Sequence, residues 1–206
     1  MPVVLLVRHG QASFGADDYD VLSDLGREQA RAVGRELARR PLRDPLLVCG
    51  TLRRQRDTAA LLGLGEARVD GRWDEYDHLG LLERYPSGAP ADPSSRGVQG
   101  LLDAALAAWA RDEAGGWEAF SSGAAAALDA ATAPGRDTVV VTSGGIIAAL
   151  AARLLGGGPD TVVALNRVSA NAAVSKVVVG RSGASLVSFN DHAHLEGEPA
   201  GLLTYR

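Results

Sequence analysis

The chain has 206 residues, the length of one domain with room for an insertion. Hydrophobic residues make up 46% and charged residues 22%, which are ordinary globular proportions and exclude wholesale disorder. The net charge is −4, so no long-range field draws the chain to nucleic acid or to an anionic membrane, and neither is expected as a partner.

Val3 to Val7 is a continuous apolar run rich in β-branched residues, which reads as a buried parallel strand. It is too short for a signal-peptide core and has no basic residue before it, so the cytoplasm is the expected location. A polar loop follows through Asp17, Asp18, Tyr19 and Asp20. Ser23 reads as an N-cap, and Leu25, Ala30, Val33 and Leu37 recur at helical spacing up to Arg40-Pro41. Leu46 to Cys49 is a second short strand. Cys49, the single cysteine, can form no internal disulfide and no cysteine-based zinc site alone, and reads as a small buried hydrophobe. Thr51 is expected to cap a helix carrying Leu52, Ala59 and Leu62. A third run, Ala67 to Val69, leads into an irregular acidic and aromatic stretch from Trp73 to His78. Pro86 to Pro93 marks a loop. Two amphipathic helices follow, one through Leu101, Leu102, Leu106 and Trp109, the other through Trp117, Phe120, Ala124 and Leu128. Thr138 to Val141 is another buried strand, and Ile146 to Leu155 a helix. That helix is interrupted by Arg153 and falls short of the roughly 20 apolar residues of a membrane span. Pro159-Asp160 opens a short helix to about Leu165. Ala173–Val179 and Ser185–Phe189 are strands joined by a Gly180-Arg181-Ser182-Gly183 hairpin. Strands alternating with helices imply an α/β fold, a mostly parallel central sheet with helices on both faces and a largely helical insertion over about 76–135. Residues 1–206 are expected to form a single domain.

In such sheets ligands sit beyond the carboxyl ends of the strands. Three segments fall there: Arg8-His9-Gly10, Thr51 with the arginines behind it, and Thr142-Ser143-Gly144-Gly145. Arginine binds phosphate through a charged fork, and neutral imidazole is a competent nucleophile at pH 7. Read alone, the Arg-His-Gly triplet fits a surface loop as well as a ligand crevice. Arg53, Arg54 and Arg56 fit either a solvated basic face or, with one of them turned inward, an anion site at a helix N-terminus.

Taken together, the motifs resemble the histidine phosphatase superfamily, the phosphoglycerate mutase-like fold. Leu6-Val7-Arg8-His9-Gly10-Gln11 resembles its signature. Leu22 to Ala30 is similar to its Leu-Thr-x-x-Gly-x-x-Gln-Ala helix start. Leu52-Arg53-Arg54-Gln55-Arg56-Asp57-Thr58-Ala59 resembles its Leu-x-Arg-Ala-x-Gln-Thr-Ala segment. Asp70 to Glu75 resembles the stretch ending in its acid, and Asn190 to Leu195 its closing Asn-x-x-x-His-Leu. The resemblance implies hydrolysis of a small phosphomonoester through a phosphohistidine on His9, with no cofactor and no metal. Glu75 would be the general acid and base, partly buried so that its pKa is raised. Arg8 and Arg54 would hold the phosphoryl oxygens, and Gln11, Ser13, Ser143 and Gly144 would add phosphate-binding donors. Asp74 and Asp77 are rivals for the acid. Specificity would come from the insertion and the loop Phe14–Tyr19, with Phe14, Trp73 and Tyr76 candidates for the mouth. The partner is then a small phosphorylated substrate or inorganic phosphate. Oligomeric state stays open, a homodimer included.

One departure matters. The family carries His-Gly-Gly after the strand at Thr138–Val141, and here Ser143 holds the histidine's place. Losing one such donor costs about 10²–10³ in rate. The alternative reading is therefore a weakly active or inactive member that only binds a phosphate ester. His192 or His194 is a candidate replacement, although a structural hydrogen bond is the plainer role for His194. A more remote alternative is a serine hydrolase using Ser143 with Asp160 and His194, although Val141 breaks the Gly-x-Ser-x-Gly elbow. A metal site at Asp191, His192 and His194 is disfavoured by Arg8 and Arg54.

Overall fold

The computed structural model describes residues 2–13, 20–88, 95–132, 135–197 and 201–205, without the side chains of 95, 96 and 98. Six strands form one sheet: β1 (Val3–Arg8), β2 (Leu46–Cys49), β3 (Arg68–Val69), β4 (Thr138–Thr142), β5 (Val174–Gly180) and β6 (Gly183–Asp191). Their order is β3-β2-β4-β1-β5-β6. The pairs β3–β2, β2–β4 and β4–β1 are parallel, while β1–β5 and β5–β6 are antiparallel. Only β5 runs against the rest, so the sheet is mostly parallel, as expected.

The strand core is apolar on both faces because helices cover both. Leu5 and Val7 of β1 point one way, with Leu47, Val139 and Val141, against Val33 and Leu37 of α1 (Asp24–Arg39) and Ala59 of α2 (Arg53–Leu61). Val4 and Leu6 point the other way, with Val48 and Val140. They meet Trp73, then Leu128 of α5 (Trp117–Thr132), and Ile146 and Leu150 of α6 (Gly144–Leu154). Each such Val or Leu contributes about 1.5–3 kcal/mol by leaving water. Beyond α6 lies an outer cluster from α3 (His78–Arg84), α4 (Ser95–Arg111) and α7 (Pro159–Val168), including Leu81, Leu106, Trp109 and Val163. Helix α5 thus packs on the sheet itself, whereas α3 and α4 form the outer layer.

Several boundaries differ from the sequence reading. Thr51 does not cap α2. Its backbone N–H and its hydroxyl both bond Asp74, at 2.5 Å each, and the cap position falls to Leu52, which has no side-chain acceptor. The carboxylate of Asp20 closes that helix end instead, accepting the N–H of Arg53 at 2.7 Å and of Arg54 at 3.4 Å. The stretch after Trp73 is irregular over residues 74–77, as expected, and lies between two short elements. A 3-10 turn spans Gly71–Trp73, and α3 starts where Asp77 accepts the N–H groups of Leu79 and Gly80. Ser23 caps α1 as expected, bonding the N–H of Gly26.

Two glycines let α1 press on the loop after β1. A Cβ on Gly10 would stand 2.3 Å from the Gly26 carbonyl oxygen, and one on Gly26 would stand 2.1 Å from that of Gln11. This close approach holds His9 at the sheet's carboxyl edge.

Candidate active site

His9 leaves the end of β1, and its N–H donates to the Thr142 carbonyl of β4 at 2.9 Å. The residue is 5% exposed. Its Nδ1 lies 2.7 Å from the Gly10 carbonyl, an acceptor only, so Nδ1 carries the proton. Nε2 is then a lone pair, and it accepts the Nε–H of Arg54 at 3.1 Å. Burial, reinforced by the charges of Arg8 and Arg54, pushes the His9 pKa well below the ordinary imidazole value. The imidazole is neutral at pH 7, with its unprotonated nitrogen directed at an arginine.

Arg54 stands in the first turn of α2, and its Nη1 pairs with Asp20 at 2.7 Å. Arg8 reaches from the end of β1 toward the C-terminal end of α7, where Nη1 donates to the carbonyls of Ser169 and Tyr205. Asn190 steadies that carbonyl segment. Its Oδ1 accepts the Ala170 N–H and its Nδ2 donates to Val168, both at 2.7 Å. The Arg8 guanidinium also borders Gly144, where a Cβ would meet Nε at 3.4 Å.

Glu75 faces the N-terminus of α6. Its Oε2 accepts the Gly145 N–H at 2.9 Å and its Oε1 accepts the Tyr76 N–H at 3.2 Å. Burial raises its pKa against the pull of those two N–H groups and of both arginines. Gly145 is required here, because a Cβ would lie 2.3 Å from Glu75 Oε1. The rival acids are occupied elsewhere: Asp74 holds Thr51, and Asp77 caps α3.

The other residues named from sequence divide. Ser143 is 1% exposed, directly after β4 and beside His9, and Gly144 opens α6. Gln11 and Ser13 bond to the start of α1 and its approach: Gln11 Oε1 accepts from Ser23 Oγ at 3.0 Å, and the Ser13 N–H donates to Val21. Trp73 is 1% exposed within the core, not at a mouth. Tyr76 lies between the site and an aromatic cluster, 5.5 Å from Trp109 and 6.0 Å from Phe120 by ring centroids. The loop Phe14–Tyr19 lies outside the described residues.

His192 and His194 do not join the group. His192 bonds the Asn190 carbonyl and pairs with Glu196, and His194 bonds the Ala172 carbonyl at 3.0 Å. The serine hydrolase triad is not assembled either, since Asp160 pairs with Arg111 at the surface while Ser143 bonds Gln55. Among the described residues no group of three or more His, Cys, Asp or Glu side chains is placed to hold a metal ion. Nor is any helix among them long and apolar enough to cross a membrane.

Sequence reasoning missed Asp20 and Gln55. Asp20 sits in a loop that reads only as acidic. Gln55, fully buried, stood in the arginine motif at a place where the pattern has alanine, and that departure was the available signal.

The pattern of the histidine phosphatase superfamily (branch 1) matches residues 4–192. An acid phosphatase from Mycobacterium tuberculosis is 34% identical over 125 residues, covering 50% of this chain and 61% of that protein. A glucosyl-3-phosphoglycerate phosphatase from Mycolicibacterium vanbaalenii is 32% identical over 233 aligned positions, covering 98% of this chain and 90% of that protein. The structure of a mycobacterial glucosyl-3-phosphoglycerate phosphatase with VO3 superposes with a TM-score of 0.63 at 28% identity. It covers 93% of this chain and 100% of that one. The order of the motifs, the sheet that brings them to one edge and the match over residues 4–192 agree: this chain belongs to the histidine phosphatase superfamily.

Proposed function

We propose that this chain hydrolyses a small phosphomonoester through a phosphohistidine on His9, with Glu75 as general acid and then general base. Its membership among the phosphoric monoester hydrolases rests on the family and on relatives that are named phosphatases. The observation that carries the mechanism is the state of His9, neutral, with Nδ1–H committed to Gly10 and Nε2 facing Arg54.

In the first step Nε2 attacks phosphorus. The P–O bond to the leaving alcohol breaks, and Glu75 gives its proton to that oxygen. Arg54 turns its donors from Nε2 to the phosphoryl oxygens as they take the space, and Arg8 neutralises the charge from the opposite side. In the second step a water attacks phosphorus and Glu75 takes its proton. The P–N bond breaks, releasing phosphate and neutral His9. The protonated carboxyl that the first step needs is what burial of Glu75 favours. In this reading the chain acts as one domain, and Tyr76 with the α3–α4 layer forms the wall next to the leaving group.

The test is p-nitrophenyl phosphate hydrolysis with chelator present, in wild type and His9→Ala, together with alkaline trapping of a labelled phosphoprotein. Turnover and label in wild type, both abolished in His9→Ala, are expected. Turnover that survives His9→Ala would sink the mechanism. A second reading, binding of a phosphate ester without turnover, is favoured by the hold of Arg54 on both Nε2 and Asp20. Vanadate binding with neither turnover nor label would select it.

A further inference from the structure

Ser143 occupies the N-cap of α6, yet its hydroxyl caps nothing there. A serine at that place ordinarily accepts an N–H from the first helical turn. Here Glu75 takes the Gly145 N–H, and Ser143 Oγ is turned the other way, to Gln55 Nε2 at 2.8 Å. Gln55 follows Arg54 on α2, so adjacent residues of one helical turn serve adjacent strand ends: Arg54 meets His9 after β1, and Gln55 meets Ser143 after β4.

The orientation of this amide is determined by its surroundings. Gln55 Nε2 also donates to the Trp73 carbonyl at 3.0 Å, and a carbonyl can only accept. The end of the amide facing Ser143 is therefore the NH2 group, and Ser143 Oγ is the acceptor. The serine proton is left to donate elsewhere, and an oxygen that already accepts a hydrogen bond is a stronger donor. The fit is specific. A Cβ on Gly50 would lie 2.0 Å from Gln55 Oε1, so the glutamine fills space that only a glycine there leaves.

Two departures from the family pattern thus touch each other. Glutamine stands where the pattern has alanine, and serine where it has histidine. The exchange roughly conserves volume across the contact, the kind of paired change a packed interior tolerates.

We propose that Gln55 is a positioning residue that orients the Ser143 hydroxyl as a donor to the phosphoryl oxygens, the pair standing in for one imidazole. The proposal rests on the phosphate-site reading above. The test uses the full chain, p-nitrophenyl phosphate as substrate, vanadate as probe, and a thermal midpoint for every variant. Gln55→Met keeps the shape and removes the donor, while the Trp73 carbonyl retains the Thr142 hydroxyl at 2.6 Å. It is expected to lower kcat about tenfold with KM nearly unchanged, and to weaken vanadate about tenfold. Ser143→Ala lowers kcat by about 10²-fold, and adding Gln55→Met to it costs nothing further, because no hydroxyl remains to orient. Ser143→His alone stays below wild type, since the imidazole meets the Gln55 amide, whereas Gln55→Ala with Ser143→His regains wild-type kcat or better.

The proposal is overturned if Gln55→Met matches wild type in both kcat and vanadate affinity. The same holds if its effect is as large on the Ser143→Ala background, or if Ser143→His alone equals the double variant. Should Gln55→Met not fold, the comparison of Ser143→His with the double variant decides. If wild type releases no p-nitrophenol, the phosphatase reading fails and vanadate affinity decides this one. A tenfold loss in Gln55→Met that disappears on the Ser143→Ala background upholds it, and unchanged affinity overturns it.

Discussion

In the proposed mechanism His9 presents a reactive nitrogen because of the bond it makes to the next residue. With Nδ1–H held by Gly10, only Nε2 is left to attack. The pH dependence follows from two opposed shifts. His9 sits below the ordinary value of about 6.5 and so stays neutral into acid. Glu75 sits above the ordinary value of about 4.3, so its proton persists to higher pH. The proposed mechanism needs pH above the first and below the second, which predicts a bell with His9 on its acid limb and Glu75 on its basic limb. Glu75→Gln should flatten the basic limb and lower kcat by about 10²–10⁴ on an alkyl phosphate. The loss should be much smaller on p-nitrophenyl phosphate, whose leaving group needs little protonation. Rates of the two substrates compared from pH 4 to 8 check this, and equal losses on both would remove Glu75 from the acid role. At this scale the catalytic candidates were legible as residue types. The bonds that set their protonation were not, because Gly10, Gly145 and Tyr76 act through backbone groups that every residue has.

Among the elements, α1 and β4 follow directly from local pattern, a capped 3.6-residue periodicity and a continuous apolar run. Helix α2 does not. Its cap comes from Asp20, 33 residues before Arg53, and no local signal predicts an acceptor supplied from another loop. Asp137 makes a similar long-range tie ahead of β4, accepting the N–H of Val3 at 3.0 Å and of Arg43 at 2.7 Å. Burial alone would raise this carboxyl, but those N–H groups and the Arg43 charge outweigh it and hold the pKa below the ordinary value. A folded pKa below the unfolded one means stability that is present above about pH 4 and lost as pH falls through the folded value. Asp137→Ala should cost about 1–3 kcal/mol at pH 7 by urea unfolding, since two part-buried N–H groups lose their acceptor. The gap to wild type should narrow toward pH 3. A gap that does not change with pH would show that the charge of Asp137 is immaterial.

For the whole molecule, the site exists only because β1 and β4 are parallel neighbours with α2 packed behind them. Ligand binding should therefore report on the fold. Phosphate or vanadate at about 100 times its Kd adds roughly 2.7 kcal/mol to the folded state and should raise the thermal midpoint by roughly 5–10 °C. Arg54→Ala should abolish that rise, and a wild type with no rise would count against an anion site here. The sequence by itself determined the mostly parallel α/β architecture and the strand-end positions of Arg8, His9 and Ser143, while its resemblance to the family singled out Glu75 as the candidate acid. These are set by hydrophobic period, by turn chemistry and by ordered motifs, all of which are local. Only the tertiary structure decided that Asp20 closes α2, that His194 bonds the Ala172 carbonyl, and that Gln55 bonds Ser143. Those contacts join residues far apart in the chain, and the partner of a polar side chain depends on which acceptor or donor packing brings within about 3 Å.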